Sequence, residues 1–98
     1  MSKTKRNPVN RHENGTNSIS FKLDDGREAE IGVFPKGLAT TFIFDKKIAI
    51  TIIEGIVDFN GVGISKGNTY VFDPAQVETL ELHVWCPYTD VAYKLIHV

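Results

Sequence analysis

Residues 48–59 read IAITIIEGIVDF, and this stretch decides the fold class. Most of its residues are β-branched or aromatic, a composition that favours a pleated strand and disfavours a helix. Glu54-Gly55 interrupts the run with a turn signal, so the stretch predicts two strands, 48–53 and 56–59. Asn60-Gly61 follows directly and is the strongest two-residue hairpin signal in the chain.

The same pattern continues outward from this stretch in both directions. Short β-prone segments, separated by turns with glycine, proline or aspartate, recur at 18–23, 30–34, 38–44, 62–64, 69–72, 77–85 and 91–98. No window has the 3.6-residue period of a helix. Eight or nine short strands at intervals of roughly 8–12 residues predict an all-β sandwich or barrel.

Composition limits the classes of protein to consider. The chain has 98 residues, a formal net charge of −1 and 42% hydrophobic residues, which fits one domain. The balanced charge gives no reason to expect nucleic acid as a partner, and no apolar run has the length of a membrane span. The single cysteine, Cys86, excludes an internal disulfide and favours a reducing compartment. We therefore expect a cytoplasmic protein with neither a nucleic-acid nor a membrane partner.

The first 17 residues differ in charge from the rest. Residues 1–17 contain four cations and one anion, a charge of +3, whereas residues 18–98 contain seven cations and eleven anions, a charge of −4. Few apolar side chains in 1–17 offset the entropy cost of ordering. We predict a basic, mostly disordered tail over 1–17 and a single β domain over 18–98. Contact of the tail with RNA or a partner protein is the alternative to a purely solubilising role.

Three blocks of the chain resemble a known family. The block GREAEIGVFPKG at 26–37 resembles that family's Gly-Arg … Gly-Val-Met … Gly signature. The block TIIEG at 51–55 is similar to its Thr-Val-Ile-Ser-Gly turn, and 89–96 is similar to its aromatic, cation-bearing last strand. The family is the single-domain pyrimidine/purine nucleoside phosphorylases of the cupin fold. The resemblance implies an RmlC-like double-stranded β-helix jelly roll.

The resemblance also implies an activity. It is the phosphorolysis of purine and pyrimidine nucleosides to free base and ribose 1-phosphate, without metal or other cofactor, by a homodimer. The apolar run 48–59 supports a homodimer too, because it is typical of strands covered on both faces. At Ile48-Ala49, however, family members carry carboxylates. Two alternatives therefore stay open: a non-catalytic module that binds a nucleoside or a nucleotide-like molecule, and a structural homo-oligomer.

Phosphorolysis requires groups that hold phosphate and a group that protonates the departing base. Arg27 is the first candidate for phosphate, since a guanidinium binds such oxygens bidentately, and Lys94 is the second. Glu78 shares a predicted strand face with apolar residues of 77–85 and is the candidate catalytic acid. Tyr70 and Tyr93 are candidates to stack on the base or donate from their hydroxyls. Solvated charges and core tyrosines are the structural alternatives.

Metal and thiol chemistry have weak support in the sequence. The chain has three histidines, His12, His83 and His97, with no His-x-His pair, and 40–45 reads TTFIFD where paired histidines would fall in metal-binding cupins. We therefore predict no metal. The alternating pattern around His83 predicts that it faces solvent or an interface. We do not expect Cys86, which is followed by Pro87, to act as a nucleophile.

Overall fold

The computed structural model describes residues 17–98. The predicted basic tail and His12 lie outside these residues, except that the first strand already begins at Asn17. Nine strands and one short helix follow in the described part of the chain: β1 (Asn17–Lys22), β2 (Glu28–Phe34), β3 (Ala39–Ile43), β4 (Ile48–Glu54), β5 (Ile56–Phe59), β6 (Val62–Ser65), β7 (Thr69–Phe72), α1 (Pro74–Val77), β8 (Glu81–Trp85) and β9 (Val91–His97).

The strands form two antiparallel sheets. The larger sheet has the order β1-β2-β9-β4-β7, and the smaller has the order β3-β8-β5-β6. The all-β prediction is confirmed, because the segments in which apolar and polar residues alternate form strands and the glycine-containing segments between them form turns. Among the described residues, no helix is long or apolar enough to cross a membrane.

The core lies between the two sheets and follows the alternation of each strand. In β4, Ile48, Ile50 and Ile52 are buried while the residues between them face outward. In β5, Val57 and Phe59 point into the same core. The apolar run 48–59 is therefore divided between sheets, with β4 in the larger and β5 in the smaller.

The segment before β8 differs from its sequence-based prediction. The strand expected over 77–85 begins only at Glu81, because Asp73 starts a helical turn instead. The Asp73 carboxylate accepts a hydrogen bond from the Ala75 N–H at 3.1 Å, and Pro74 occupies the first helical turn, where its missing N–H costs nothing. Glu78 ends this turn at φ 59°. The predicted position of Glu78 on a strand face is therefore wrong.

Candidate functional site

A cavity of about 610 Å³ opens between the two sheets. Its size lies within the range of small-molecule sites. Strands β1, β2, β4 and β9 of the larger sheet contribute to the lining, together with β3, β8 and the loop between β3 and β4. The lining consists of Ser20, Phe21, Lys22, Glu28, Ala29, Glu30, Phe34, Phe42, Ile43, Phe44, Asp45, Lys46, Ile50, Leu82, Tyr93, Leu95 and His97.

A buried carboxylate lies in this cavity. Glu30 is only 5% exposed, and its Oε2 accepts a hydrogen bond from the Tyr93 hydroxyl at 2.6 Å. The strand register explains its position, because Glu30 lies in one inward row with Ser20 on β1 and Leu95 on β9. A carboxylate is stable in such a place when hydrogen bonds replace the water it has lost.

Aromatic side chains form the wall next to this carboxylate. The rings of Phe34 and Tyr93 are stacked, with centroids 4.1 Å apart and planes 9° from parallel. Phe42 packs against Phe34 at 6.0 Å and against Phe44 at 6.3 Å. The cavity therefore combines flat apolar surfaces with one deep hydrogen-bonding group.

Charged side chains of both signs surround the opening of the cavity. Lys22 and Glu28 come from the paired ends of β1 and β2, and Asp45 and Lys46 come from the loop after β3. All four are exposed, and His97 at the end of β9 is half-buried. This opening offers donors and acceptors to the polar part of a ligand, and its two lysines offer positive charge to an anion.

Arg27 lies outside the cavity lining, at the turn between β1 and β2. Its Nε donates to Asp25 Oδ2 at 2.8 Å, and both side chains are about half exposed. The Arg27 backbone N–H also donates to Asp25 Oδ1 at 3.0 Å. These hydrogen bonds, the backbone one foremost, lower the pKa of Asp25 below its ordinary value of 3.8.

The other predicted site residues occupy separate positions. Tyr93 lines the cavity, whereas Tyr70 is half-buried and packs on Phe59 with ring centroids 5.3 Å apart. Lys94 alternates with the buried Tyr93 and therefore lies on the outer face of the larger sheet, between Ile31 and Thr51. Glu78 is exposed and does not line the cavity.

Glu30 is the buried charged residue of the cavity, and the sequence analysis missed it. Glu30 lies two residues after Glu28 in the same strand, and glutamates are mostly exposed, so its residue type gave no sign of burial. A signal was present in the alternation, because Glu30, Gly32 and Phe34 share one strand face by the period of two. Phe34 marks that face as the buried one.

The two described histidines are far apart in the structure. His97 lines the cavity, whereas His83 is exposed on the outer face of the smaller sheet, as its alternation predicted. Within residues 17–98, no three His, Cys, Asp or Glu side chains come together as metal ligands would. Burial raises the pKa of Cys86 from its ordinary value of 9.0 to about 11, with the charge of Asp90 adding to the effect.

Comparisons with known proteins identify the fold. No protein-family model and no curated protein matches the chain. Among solved structures, an RmlC-like cupin with a double-stranded β-helix from Methanocaldococcus jannaschii matches with a TM-score of 0.65 and 11% identity, over 84% of this chain and 80% of that chain. The chain has a cupin fold. A DUF1255 protein of unknown function from Acinetobacter sp. ADP1 matches this cupin domain with a TM-score of 0.68 and 16% identity, over 97% and 90% of the two chains.

A third structure contains a larger protein. In the Rhodobacter sphaeroides complex of SigE with the anti-sigma ChrR, the match has a TM-score of 0.72 and 13% identity and covers 87% of this chain. The cupin domain spans only 45% of the length of that matched chain. At these identities the comparisons define the fold alone.

Proposed function

We propose that this cupin domain binds a nucleoside, or a molecule of the same chemistry, in the cavity between its sheets. The observation that carries the proposal is the Glu30 carboxylate, which is buried among aromatic walls and hydrogen-bonded to Tyr93. A carboxylate accepts several hydrogen bonds at once, so a ligand N–H can bind to Glu30 together with Tyr93. Nucleobases present such N–H donors on the edge of a flat ring.

The rest of the cavity suits the two parts of a nucleoside. The stacked pair Phe34 and Tyr93, together with Phe42, offers apolar surface to a planar base. The ribose hydroxyls would lie at the opening, where Lys22 and Asp45 are exposed. This division into an apolar interior with a few polar groups is typical of small-molecule sites.

Titration calorimetry with uridine, inosine and adenosine tests the binding proposal. We expect saturable binding of at least one nucleoside, and Glu30→Gln should weaken it about 10-fold or more, because a buried charged acceptor is lost. Glu54→Gln is the matched control, since Glu54 is an exposed carboxylate of the same sheet that does not line the cavity. No binding by the wild-type protein, or equal losses in the two variants, would reject the proposal.

A second candidate function is the phosphorolysis that the sequence resemblance implies. The observation that favours it is the presence of Lys22 and Lys46 at the cavity opening, where they offer positive charge to phosphate. In this reaction a phosphate oxygen forms a bond to ribose C1′ while the bond from C1′ to the base nitrogen breaks. The base leaves with the electron pair and takes up a proton.

Chromatography for free base, after incubation of inosine or uridine with phosphate, tests this second function. Weak turnover is expected, because Ile48-Ala49 replaces the family carboxylates and one lost transition-state contact costs about 10²–10³ in rate. Loss of turnover in Arg27→Ala would support the phosphate site proposed from the resemblance, whereas loss in Lys22→Ala would assign phosphate to the cavity opening. If no base is released, the phosphorolysis proposal is rejected.

We also propose that two copies associate through the outer face of the larger sheet. Its exposed apolar side chains are Ile19 on β1, Ile31 and Val33 on β2, and Val71 on β7. Single-sided antiparallel sheets normally present polar residues to water. Residues 1–16 contain only Met1, Pro8 and Val9 as sizeable apolar side chains, so they are poorly suited to cover this face. A second copy offers a matching apolar surface.

A further inference from the structure

A second, shallow groove of about 280 Å³ lies on the outer face of the smaller sheet. Trp85 on β8 is 52% exposed there and pairs with Ala39 on β3 and with Asp58 on β5. Thr41 and His83 lie in the next outward row of the same strands. The groove shares no lining residue with the cavity between the sheets.

Hydrogen bonds fix the polar side chains around this groove. Asp58 Oδ1 accepts from the Gly61 N–H at 2.8 Å, which holds the carboxylate next to the Asn60-Gly61 turn. The Thr41 hydroxyl and His83 Nδ1 are 2.7 Å apart. The groove therefore has a preorganised polar rim, which lowers the entropy cost of binding a ligand.

The electrostatic character of the smaller sheet is negative. Its four strands read ATTFI, IVDF, VGIS and ELHVW, and they contain the carboxylates Asp58 and Glu81 but no lysine or arginine. Glu81 Oε1 lies 3.4 Å from His83 Nε2, so the second carboxylate also belongs to this face. An exposed tryptophan in a negative field is a suitable environment for a cation.

We propose that the groove binds a small organic cation, an alkylammonium or guanidinium group, between the Trp85 ring and the Asp58 carboxylate. Indole attracts cations more strongly than the other aromatic side chains do. Residues directly opposite in an antiparallel ladder have Cβ atoms about 4.5–5.5 Å apart, so one cation can contact both side chains. A neutral sugar ring can also stack on tryptophan, but it would gain nothing from the negative charge.

The chain contains a single tryptophan, so its fluorescence and its indole N–H resonance report directly on the groove. Choline and arginine methyl ester are the probes. Their neutral counterparts are 3,3-dimethyl-1-butanol, which has the shape of choline without the charge, and citrulline methyl ester. We expect a saturable response in the millimolar range from the cations alone, and the response should weaken as sodium chloride screens the attraction.

Two variants distinguish cation binding in the groove from a general effect of the protein's charge. Asp58→Asn keeps a side-chain oxygen for the Gly61 N–H and should weaken choline binding about five-fold or more, because it removes the charged partner. Glu54→Gln removes an exposed carboxylate from the larger sheet and should leave binding unchanged. No saturable response to either cation, equal responses to the neutral analogues, or equal effects of the two variants would overturn the proposal.

Discussion

Gly55, at the corner between β4 and β5, packs closely against the loop that precedes β9. A Cβ added to Gly55 would overlap the Asp90 backbone oxygen and lie 2.9 Å from Thr89 Oγ1, and the backbone has φ +98°. Two independent constraints, a steric one and a conformational one, therefore require glycine at this position. At this corner the chain leaves the larger sheet and enters the smaller one.

Gly55→Ala is predicted to lower the free energy of unfolding by about 2–4 kcal/mol, because strain from positive φ adds to a backbone clash. Urea unfolding followed by circular dichroism measures the change. Gly61→Ala is the matched control, since Gly61 has φ +86° but open space around it, and it should cost only about 1–2 kcal/mol. Equal losses in the two variants would show that the contact with Asp90 has no energetic role.

Cys86 is fully buried, and burial raises the pKa of its thiol from 9.0 to about 11. The unfolded chain ionises this thiol from about pH 9, whereas the folded chain keeps the proton up to about pH 11. The folded state therefore binds more protons in this window, and stability falls as the pH rises through it. The contribution is fully present below pH 9 and absent above pH 11.

Because of this pKa shift, raising the pH from 9 to 11 is predicted to lower the free energy of unfolding of the wild-type protein by about 2–3 kcal/mol more than that of Cys86→Ala. Urea titrations of both proteins across this range give the difference, and titration of the lysines and tyrosines cancels between them. Parallel stability profiles would mean that the thiol ionises in the folded protein as easily as in the unfolded chain.

At the scale of elements, the segment from Asp73 to Leu80 shows how local chemistry overrides an apparent pattern. Alternating apolar residues predicted a strand beginning at Val77, but Asp73 and Pro74 together form a helix start. The four-residue turn places Glu78 in the left-handed region, and the strand begins three residues later. Here the helix-start signal of Asp73 and Pro74 outweighed the apolar residues Val77 and Leu80, which had suggested a strand.

Pairing between elements brings the cavity residues together. Phe34 and Tyr93 are far apart in sequence, yet their rings stack because β2 and β9 are neighbours in the larger sheet. The same pairing places Lys94 on the opposite face, away from the cavity, although it is adjacent to Tyr93 in sequence. In β9, the parity of a position therefore decides whether its side chain lines the cavity, as Tyr93, Leu95 and His97 do.

At the scale of the whole molecule, the two outer sheet faces differ in chemistry. The outer face of the larger sheet exposes Ile19, Ile31, Val33 and Val71 by 41–74%, with few charges among them. The outer face of the smaller sheet also has exposed apolar residues, but charged and hydrogen-bonded side chains lie between them. This asymmetry is the physical basis for proposing that the larger sheet forms the contact between copies.

Light scattering after size-exclusion chromatography is predicted to show a dimer at micromolar concentration, which Ile31→Lys converts to a monomer. A buried lysine in an apolar contact lacks a partner for its charge. Ile56→Lys is the matched control, because Ile56 on the smaller sheet is 46% exposed and Ile31 is 45% exposed. A monomeric wild-type protein, or dissociation by Ile56→Lys alone, would contradict this assignment.

The sequence by itself determined the class of fold and most strand positions. Period-two alternation and turn chemistry are local properties, so 48–59, Asn60-Gly61 and the other strand segments could be interpreted without knowledge of their partners. The alternation around His83 also predicted its outward position correctly. These features depend on residues within a few positions of one another.

Only the tertiary structure decided which side chains share a site. Strand order and register join residues that are distant in sequence, and they buried Glu30 against Tyr93, 63 positions away. They also divided 48–59 between two sheets and left Arg27 beside Asp25 outside the cavity lining. The physical reason is that burial and hydrogen bonding of a strand residue depend on its cross-strand neighbours, which local sequence patterns do not specify.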